Sequence, residues 1–233
     1  MPTDRPLVVV DVGSQQLTGH TYSHRSLFDE PRCRYIGVDV VAGNNVDVVL
    51  RKPYGLPFDD DSVDVIVSGQ TFEHIPFFWA TMMDFARVVR PSGLVILSAP
   101  SRGHVHHRPH FDGWRFYSAG FQALGDFVGL ECLEATTDYP PSAPETRRWD
   151  YSRARSYWGD TIGVFQKSAA YDAAAIAPVR SELLAWANRQ AGSPEQLSTR
   201  GVTAAPRTLL RRTLRHARRL GRAARARMRS QAV

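Results

Sequence analysis

Two short stretches put chemistry-bearing residues directly after apolar runs. The first is Asp11-Val12-Gly13-Ser14, which closes the run Leu7–Val12. A glycine just past a buried strand lets the backbone turn tightly and approach a ligand closely. The second is Asp39, near the end of RYIGVDV (Arg34–Val40) and just before Ala42-Gly43-Asn44-Asn45. A carboxylate at that place can accept hydrogen bonds from both hydroxyls of a ribose. Gly13 and Asp39 are 26 residues apart, a spacing that fits one βαβ crossover. The pair could therefore hold opposite portions of one nucleoside.

A second set consists of histidines. His74 follows Glu73, and Gly103-His104-Val105-His106-His107-Arg108-Pro109-His110 carries four more imidazoles. Imidazole titrates near neutral pH and can take a proton from a hydroxyl. The cluster could also hold a divalent ion, although no metal site is assigned to it. His74 could instead brace its loop, as satisfied buried polar groups commonly do. Asp59, Asp60 and Asp61 read as a solvated turn.

The elements that would position these groups are strands separated by helical or turn segments. Leu7–Val12, Arg34–Val40, Val46–Leu50, Val63–Ser68 and Leu94–Ala99 are apolar runs of the kind that forms buried parallel strands. Phe77–Val89 has helical spacing and ends at Arg90-Pro91-Ser92-Gly93. Ser118 is a candidate N-cap for a helix running to Val128, with Gly129 as its C-cap. Leu130–Ala135 and Thr161–Gln166 read as two further strands. This alternation implies parallel βαβ units with the loops after the strands opening on one face. The proline-rich segment 137–158 reads as an inserted loop or lid, and Ala169–Arg189 as a helix.

Four segments together resemble the class I S-adenosylmethionine-dependent methyltransferases, in particular the type 11-like small-molecule branch. They are VVVDVGS (8–14), YIGVDV (35–40), LPFDDDSVDVIVSGQTFEHI (56–75) and RVVRPSGLVILSAPS (87–101). The resemblance covers residues 7–167. It implies a Rossmann-like doubly wound sheet of seven strands, ordered 3-2-1-4-5-7-6 with the last antiparallel. It also implies S-adenosyl-L-methionine as cofactor. Asp11, Gly13 and Ser14 would face its methionine part, Asp39 its ribose and the stretch to Leu56 its adenine, while Gly69 and Gln70 would lie beneath the methionine. One departure is plain: after Gly13 the usual further glycines are replaced by Ser14-Gln15-Gln16.

Phe111-Asp112-Gly113-Trp114-Arg115-Phe116-Tyr117 is similar to a string that many family members carry before the next helix. Asp112, Trp114, Arg115 and Tyr117 are thus expected to shape the acceptor pocket, although Trp114 could be core and Arg115 could simply pair with Asp112. With His74, His106, His107 and His110 as candidate bases, the expected reaction is O-methylation of a hydroxyl on a sugar, glycolipid or glycosylated natural product. The alternatives are a methyltransferase-like scaffold with a weakened glycine loop, or an RNA methyltransferase.

Charge divides the chain. The 233 residues carry a net +6, yet no acid follows Glu195 and eleven arginines lie between Arg200 and Arg229. The basic balance therefore belongs to a tail, and the rest of the chain is mildly acidic. Residues 1–168 are expected to form the methyltransferase domain and 169–233 a helical extension, with a linker at about 192–206 and a basic tail at 207–233. On a helix, Leu210, Leu214, Ala217, Ala224 and Met228 share one face among arginines. That pattern reads as a segment for an anionic membrane surface, with a nucleic-acid arm or a solvated end as alternatives. No apolar run approaches the roughly 20 residues that span a bilayer, and the start of the chain has no signal-peptide pattern. The expected location is the cytoplasm, peripheral at the inner membrane face if the tail engages lipid. Cys33 and Cys132 lack metal-ligand spacing and are expected as buried free thiols.

Overall fold

The computed structural model describes residues 5–16, 23–28, 31–105, 111–139 and 158–191. The expected linker, the basic tail, His106, His107, His110 and nearly all of the 137–158 insertion lie outside the described residues.

Seven strands form one sheet: β1 (Leu7–Val12), β2 (Cys33–Asp39), β3 (Val48–Val49), β4 (Val63–Gly69), β5 (Val89–Arg102), β6 (Glu131–Thr137) and β7 (Gly159–Gln166). Their order is β3-β2-β1-β4-β5-β7-β6, as the resemblance implied. The first five pair in parallel, while β7 runs antiparallel to both β5 and β6. β1 sits centrally, with Val9 and Val10 fully buried, which is why its sequence is a continuous apolar run.

Among the described residues three α-helices accompany the sheet: α1 (Phe78–Val88), α2 (Ser118–Val128) and α3 (Ala173–Ala191). α1 buries Met82, Phe85, Ala86 and Val88 against the sheet. It stops just before Arg90-Pro91, because a proline disfavours helical geometry in the residue ahead of it. The chain then passes straight into β5, which includes the expected stop signal: Ser92 takes a left-handed φ of 64°, and its N–H donates to the Lys167 carbonyl. β5 is therefore much longer than Leu94–Ala99.

Other elements depart from expectation. The N-cap of α2 is Tyr117, and Ser118 is the first helical residue, its N–H donating to the Thr137 hydroxyl. Gly129 caps the C-terminus in a left-handed conformation, φ 75°, as a glycine there should. β3 shrinks to two residues at the sheet edge. Among the described residues, the β1–β2 connection carries only a single 3-10 turn (His24–Leu27), and no α-helix joins β3 to β4. Pro53, Gly55 and Pro57 account for the latter. Both cysteines are free thiols, but half-buried rather than buried. No helix among the described residues is long and apolar enough to cross a membrane.

α3 belongs to the same compact unit as the sheet. It buries Ala187 and Ala191 in a cluster with Ala80 of α1 and with Tyr54.

Candidate active site

At the carboxyl ends of β1, β2 and β4 the chain lines an open-mouthed cavity of about 300 Å³, at the lower end of the range for small-molecule sites. Gly13 and Asp39 both line it, with Gln15, Leu56, Gln70 and His74. The bend and the carboxylate that the sequence singles out thus share one space.

The bend is tight. Gly13 has φ +82°, and both its N–H and that of Ser14 donate to the Val38 carbonyl at 2.8 and 3.1 Å. This double donation draws the β1 loop over the end of β2. Asp39 is held in turn: Oδ2 accepts from the Gln15 N–H at 3.0 Å and Oδ1 from the Val41 N–H at 3.2 Å. Burial raises the Asp39 pKa above the ordinary value, against the lowering effect of these backbone donors. Gln70 has φ 52°, a left-handed conformation that is uncommon for a residue with a side chain, and its N–H donates to the Ser98 carbonyl.

Leu56 belongs to an irregular stretch that α1 braces. The Leu56 N–H donates to Asp84 Oδ2, and Arg87 donates to the Leu56 and Phe58 carbonyls while pairing with Asp84. Thr81 and Asp84, one helical turn apart on α1, form part of the cavity wall. The Thr81 hydroxyl is buried and makes no hydrogen bond to the protein. Neither residue stands out in sequence, because both sit inside an otherwise apolar helical pattern.

Three expected cofactor residues lie off the cavity wall. Ser14 is buried, with its hydroxyl donating to the Asn45 carbonyl while the Asn45 amide donates back to the Ser14 carbonyl. Gly69 faces His24, whose imidazole lies 2.7 Å from where a Cβ on Gly69 would stand. Asp11 is buried and bonded to the Tyr35 hydroxyl and to His24 Nδ1, the latter at 3.1 Å. The bond to Asp11 raises the His24 pKa, and burial followed by Asp11 raises that of Tyr35. These three residues shape the loop from behind.

His74 closes a 3-10 turn (Phe72–His74) and lines the cavity beside Phe111. Its Nδ1 lies 2.7 Å from the Phe111 carbonyl, a contact that requires the proton on Nδ1 and leaves Nε2 as the basic nitrogen. Nε2 is 3.6 Å from Oε1 of Glu73, which is completely buried. Burial, with a smaller contribution from Asp112, pushes the Glu73 carboxyl up to about 7, and Arg115 opposes the rise.

Asp112, Trp114, Arg115 and Tyr117 do not line this cavity. Asp112 is buried and paired with Arg115, Nη1 to Oδ1 at 2.6 Å. Arg115 also donates to the His104 carbonyl and lies over the Trp158 ring. Trp114 packs edge-on against Phe78 and Trp79, and Tyr117 is the exposed cap of α2. The segment thus forms a polar and aromatic support behind Glu73, whose carbonyl accepts the Gly113 N–H. No group of three histidine, cysteine or acidic side chains among the described residues is placed to hold a metal.

Residues 10–97, which include both Gly13 and Asp39, match a family described as a methyltransferase domain. That segment is similar to methyltransferase domains, as the motifs around Gly13 and Asp39 suggested. An uncharacterized methyltransferase of Mycobacterium leprae is 31% identical over 163 residues, covering 61% of this chain and 56% of that protein. One from Mycobacterium marinum is 38% identical over 118 residues, covering 46% and 44%. The chain thus spans about half the length of the curated relatives it matches. Among solved structures, a candidate methyltransferase of Bacillus halodurans superposes with a TM-score of 0.51 at 14% identity, covering 70% of this chain and 94% of that one. The [4+2]-cyclase SpnF superposes with a TM-score of 0.52, also at 14% identity, covering 71% and 76%. At such identities the likeness is one of fold, and a cyclase among the neighbours illustrates that fold alone does not fix the reaction.

The cofactor that this resemblance implies is S-adenosyl-L-methionine. The residues present suit it: a side-chain-free bend at Gly13, a carboxylate at Asp39 and an apolar stretch of Val40, Leu50 and Leu56.

Proposed function

We propose that the protein transfers a methyl group from S-adenosyl-L-methionine to a hydroxyl of a polar small molecule, such as a sugar, a glycolipid or a glycosylated natural product. The observation that supports cofactor use is the shared cavity of Gly13 and Asp39. Asp39 would accept hydrogen bonds from the ribose, and the apolar walls at Leu50 and Leu56 would receive the base. The sulfonium supplies an already activated methyl, so the chain's remaining tasks are to align the acceptor, exclude water and take up its proton.

Titration with S-adenosylhomocysteine tests the cofactor reading. Micromolar binding is expected. Asp39→Ala should weaken it by about ten- to a hundredfold, the range for a hydrogen bond to a charged group. A protein that binds none would instead be the scaffold that the shortened glycine loop allows.

His74 is the candidate base for the hydroxyl. It lines the same cavity, Nε2 is its basic nitrogen, and a proton taken there would sit beside Glu73 while the Nδ1–H keeps its bond to the Phe111 carbonyl. Once a panel of hydroxylated acceptors has identified a substrate, His74→Ala should lower the transfer rate by about 10²–10³-fold. S-adenosylhomocysteine affinity should change little. An unchanged rate in His74→Ala, and separately in His107→Ala, would remove the histidine base from the proposal.

A further inference from the structure

The irregular stretch that carries Tyr54 is gripped from a helix far along the chain. Asn188, near the end of α3, places its primary amide against the Tyr54 backbone. The Tyr54 N–H donates to Asn188 Oδ1 at 3.1 Å, and Asn188 Nδ2 donates to the Tyr54 carbonyl at 2.8 Å. The second amide hydrogen goes to the Leu184 carbonyl at 2.9 Å, which fixes the amide on its own helix. A carboxamide is the one side-chain group that presents a donor and an acceptor side by side in this way. It therefore stands in for the neighbouring strand that Tyr54 lacks.

The grip is reinforced around the ring. Tyr54 is 2% exposed, packs on Ala187 and Ala191 of α3, and accepts the Phe77 N–H through its hydroxyl at 3.1 Å. That bond satisfies the otherwise uncapped start of α1. Tyr54 and its neighbours Pro53, Gly55 and Leu56 all line the cavity. α1 holds the far end of this stretch through Asp84 and Arg87, and α3 holds the near end through Asn188. α3 lies outside the matched methyltransferase domain, residues 10–97.

We infer that α3 is part of the cofactor site and that Asn188 is a positioning residue for it, setting the cavity wall at Tyr54 that meets the adenosine end of the ligand. The inference rests on the proposed cofactor reading of the cavity. A backbone stretch without regular secondary structure must be ordered on binding unless something holds it beforehand, and that ordering is subtracted from affinity. Asn188 supplies the holding.

The test is binding of S-adenosylhomocysteine to the full-length protein and to Asn188→Ala and Asn188→Asp. Both variants should weaken binding by about tenfold, the equivalent of one to two net hydrogen bonds. Asn188→Asp should be at least as weak, because it sets a carboxylate against the Tyr54 carbonyl. A merely structural helix would lower the melting temperature of the variants but leave the affinity of the folded fraction unchanged, and that result overturns the inference.

Should the variants fail to fold, hydrogen–deuterium exchange on the unaltered protein decides. Ligand should slow exchange in residues 53–56 and in 184–191 together; slowing in the first alone overturns the coupling. No binding by the unaltered protein would instead overturn the cofactor reading, and the role of Asn188 with it.

Discussion

Gly13→Ala is expected to weaken S-adenosylhomocysteine binding by at least a hundredfold and to lower the stability of the domain by about 3 kcal/mol. Two penalties combine. A φ of +82° costs a residue with a Cβ roughly 1–2 kcal/mol. The added Cβ would also stand 2.0 Å from Oγ1, 2.4 Å from Cγ2 and 2.7 Å from Cβ of Thr71. Thr71 cannot simply rotate away, because its own Cβ is among the atoms struck and its hydroxyl is bonded to the Gly69 carbonyl. The loop must therefore shift, and the donations of Gly13 and Ser14 to the Val38 carbonyl shift with it. Combining the change with Thr71→Gly should return the steric part of the loss and leave the backbone part. Calorimetric titration and a thermal melt measure the two effects, and an alanine variant that binds within twofold of the unaltered protein would refute the account of the bend.

Glu73→Gln is expected to stabilise the protein at pH 8 and to remove much of a pH dependence that the unaltered protein shows. The folded chain holds the Glu73 proton up to about pH 7, whereas the unfolded chain releases it near 4.5. Between those values the folded state binds more protons, so the stabilising contribution is complete below about 4.5 and disappears as pH rises through 7. Above pH 7 a buried carboxylate must be kept ionised, at a cost of about 3 kcal/mol for a displacement of that size. Glutamine keeps the shape and removes the titration. Urea unfolding of both proteins at pH 5.5 and pH 8 should show the gap between them opening in favour of the variant at the higher pH. A constant gap would mean that Glu73 does not titrate in this range.

Of these two residues, Gly13 is marked in the sequence, whereas Glu73 stands out only as the neighbour of His74. Gly13 and Asp39 are legible because strands buried on both faces leave unbroken apolar runs, and topology places the residues just beyond such a run at the carboxyl edge of a parallel sheet. β1 matches its apolar run residue for residue. Gly69 and Ser14 have the same kind of position, yet the final direction of a backbone leaving a strand depends on tertiary partners: His24 beside Gly69, and Asn45 on Ser14. The 112–117 string points to the right neighbourhood, but its charges are spent on one another.

The supports supplied across long sequence distances leave no such trace. Asn188 reaches Tyr54 over 134 residues, and an asparagine on a half-exposed helix face has no local mark that distinguishes it from a solvated one. Thr81 is hidden inside an amphipathic pattern for the same reason. The β3–β4 connection is an irregular wall tied down by Arg87, where an alternation of strands and helices would have placed a crossover helix.

The antiparallel placement of β7 has a consequence for how the molecule can vary. Because β6 runs in the same direction as β5, the chain leaves the sheet at Thr137 and re-enters at Gly159 on the edge where β1, β4 and β5 also end. Thr137 is paired with Thr161, and their hydroxyls lie 2.9 Å apart, so the doorway is fastened independently of what passes through it. Residues can be gained, lost or exchanged in that excursion without moving a single rung of the ladder, and loop closure penalises added length only slowly. Descendants of this architecture can therefore change what approaches the carboxyl edge of the sheet while inheriting the Gly13–Asp39 cavity intact.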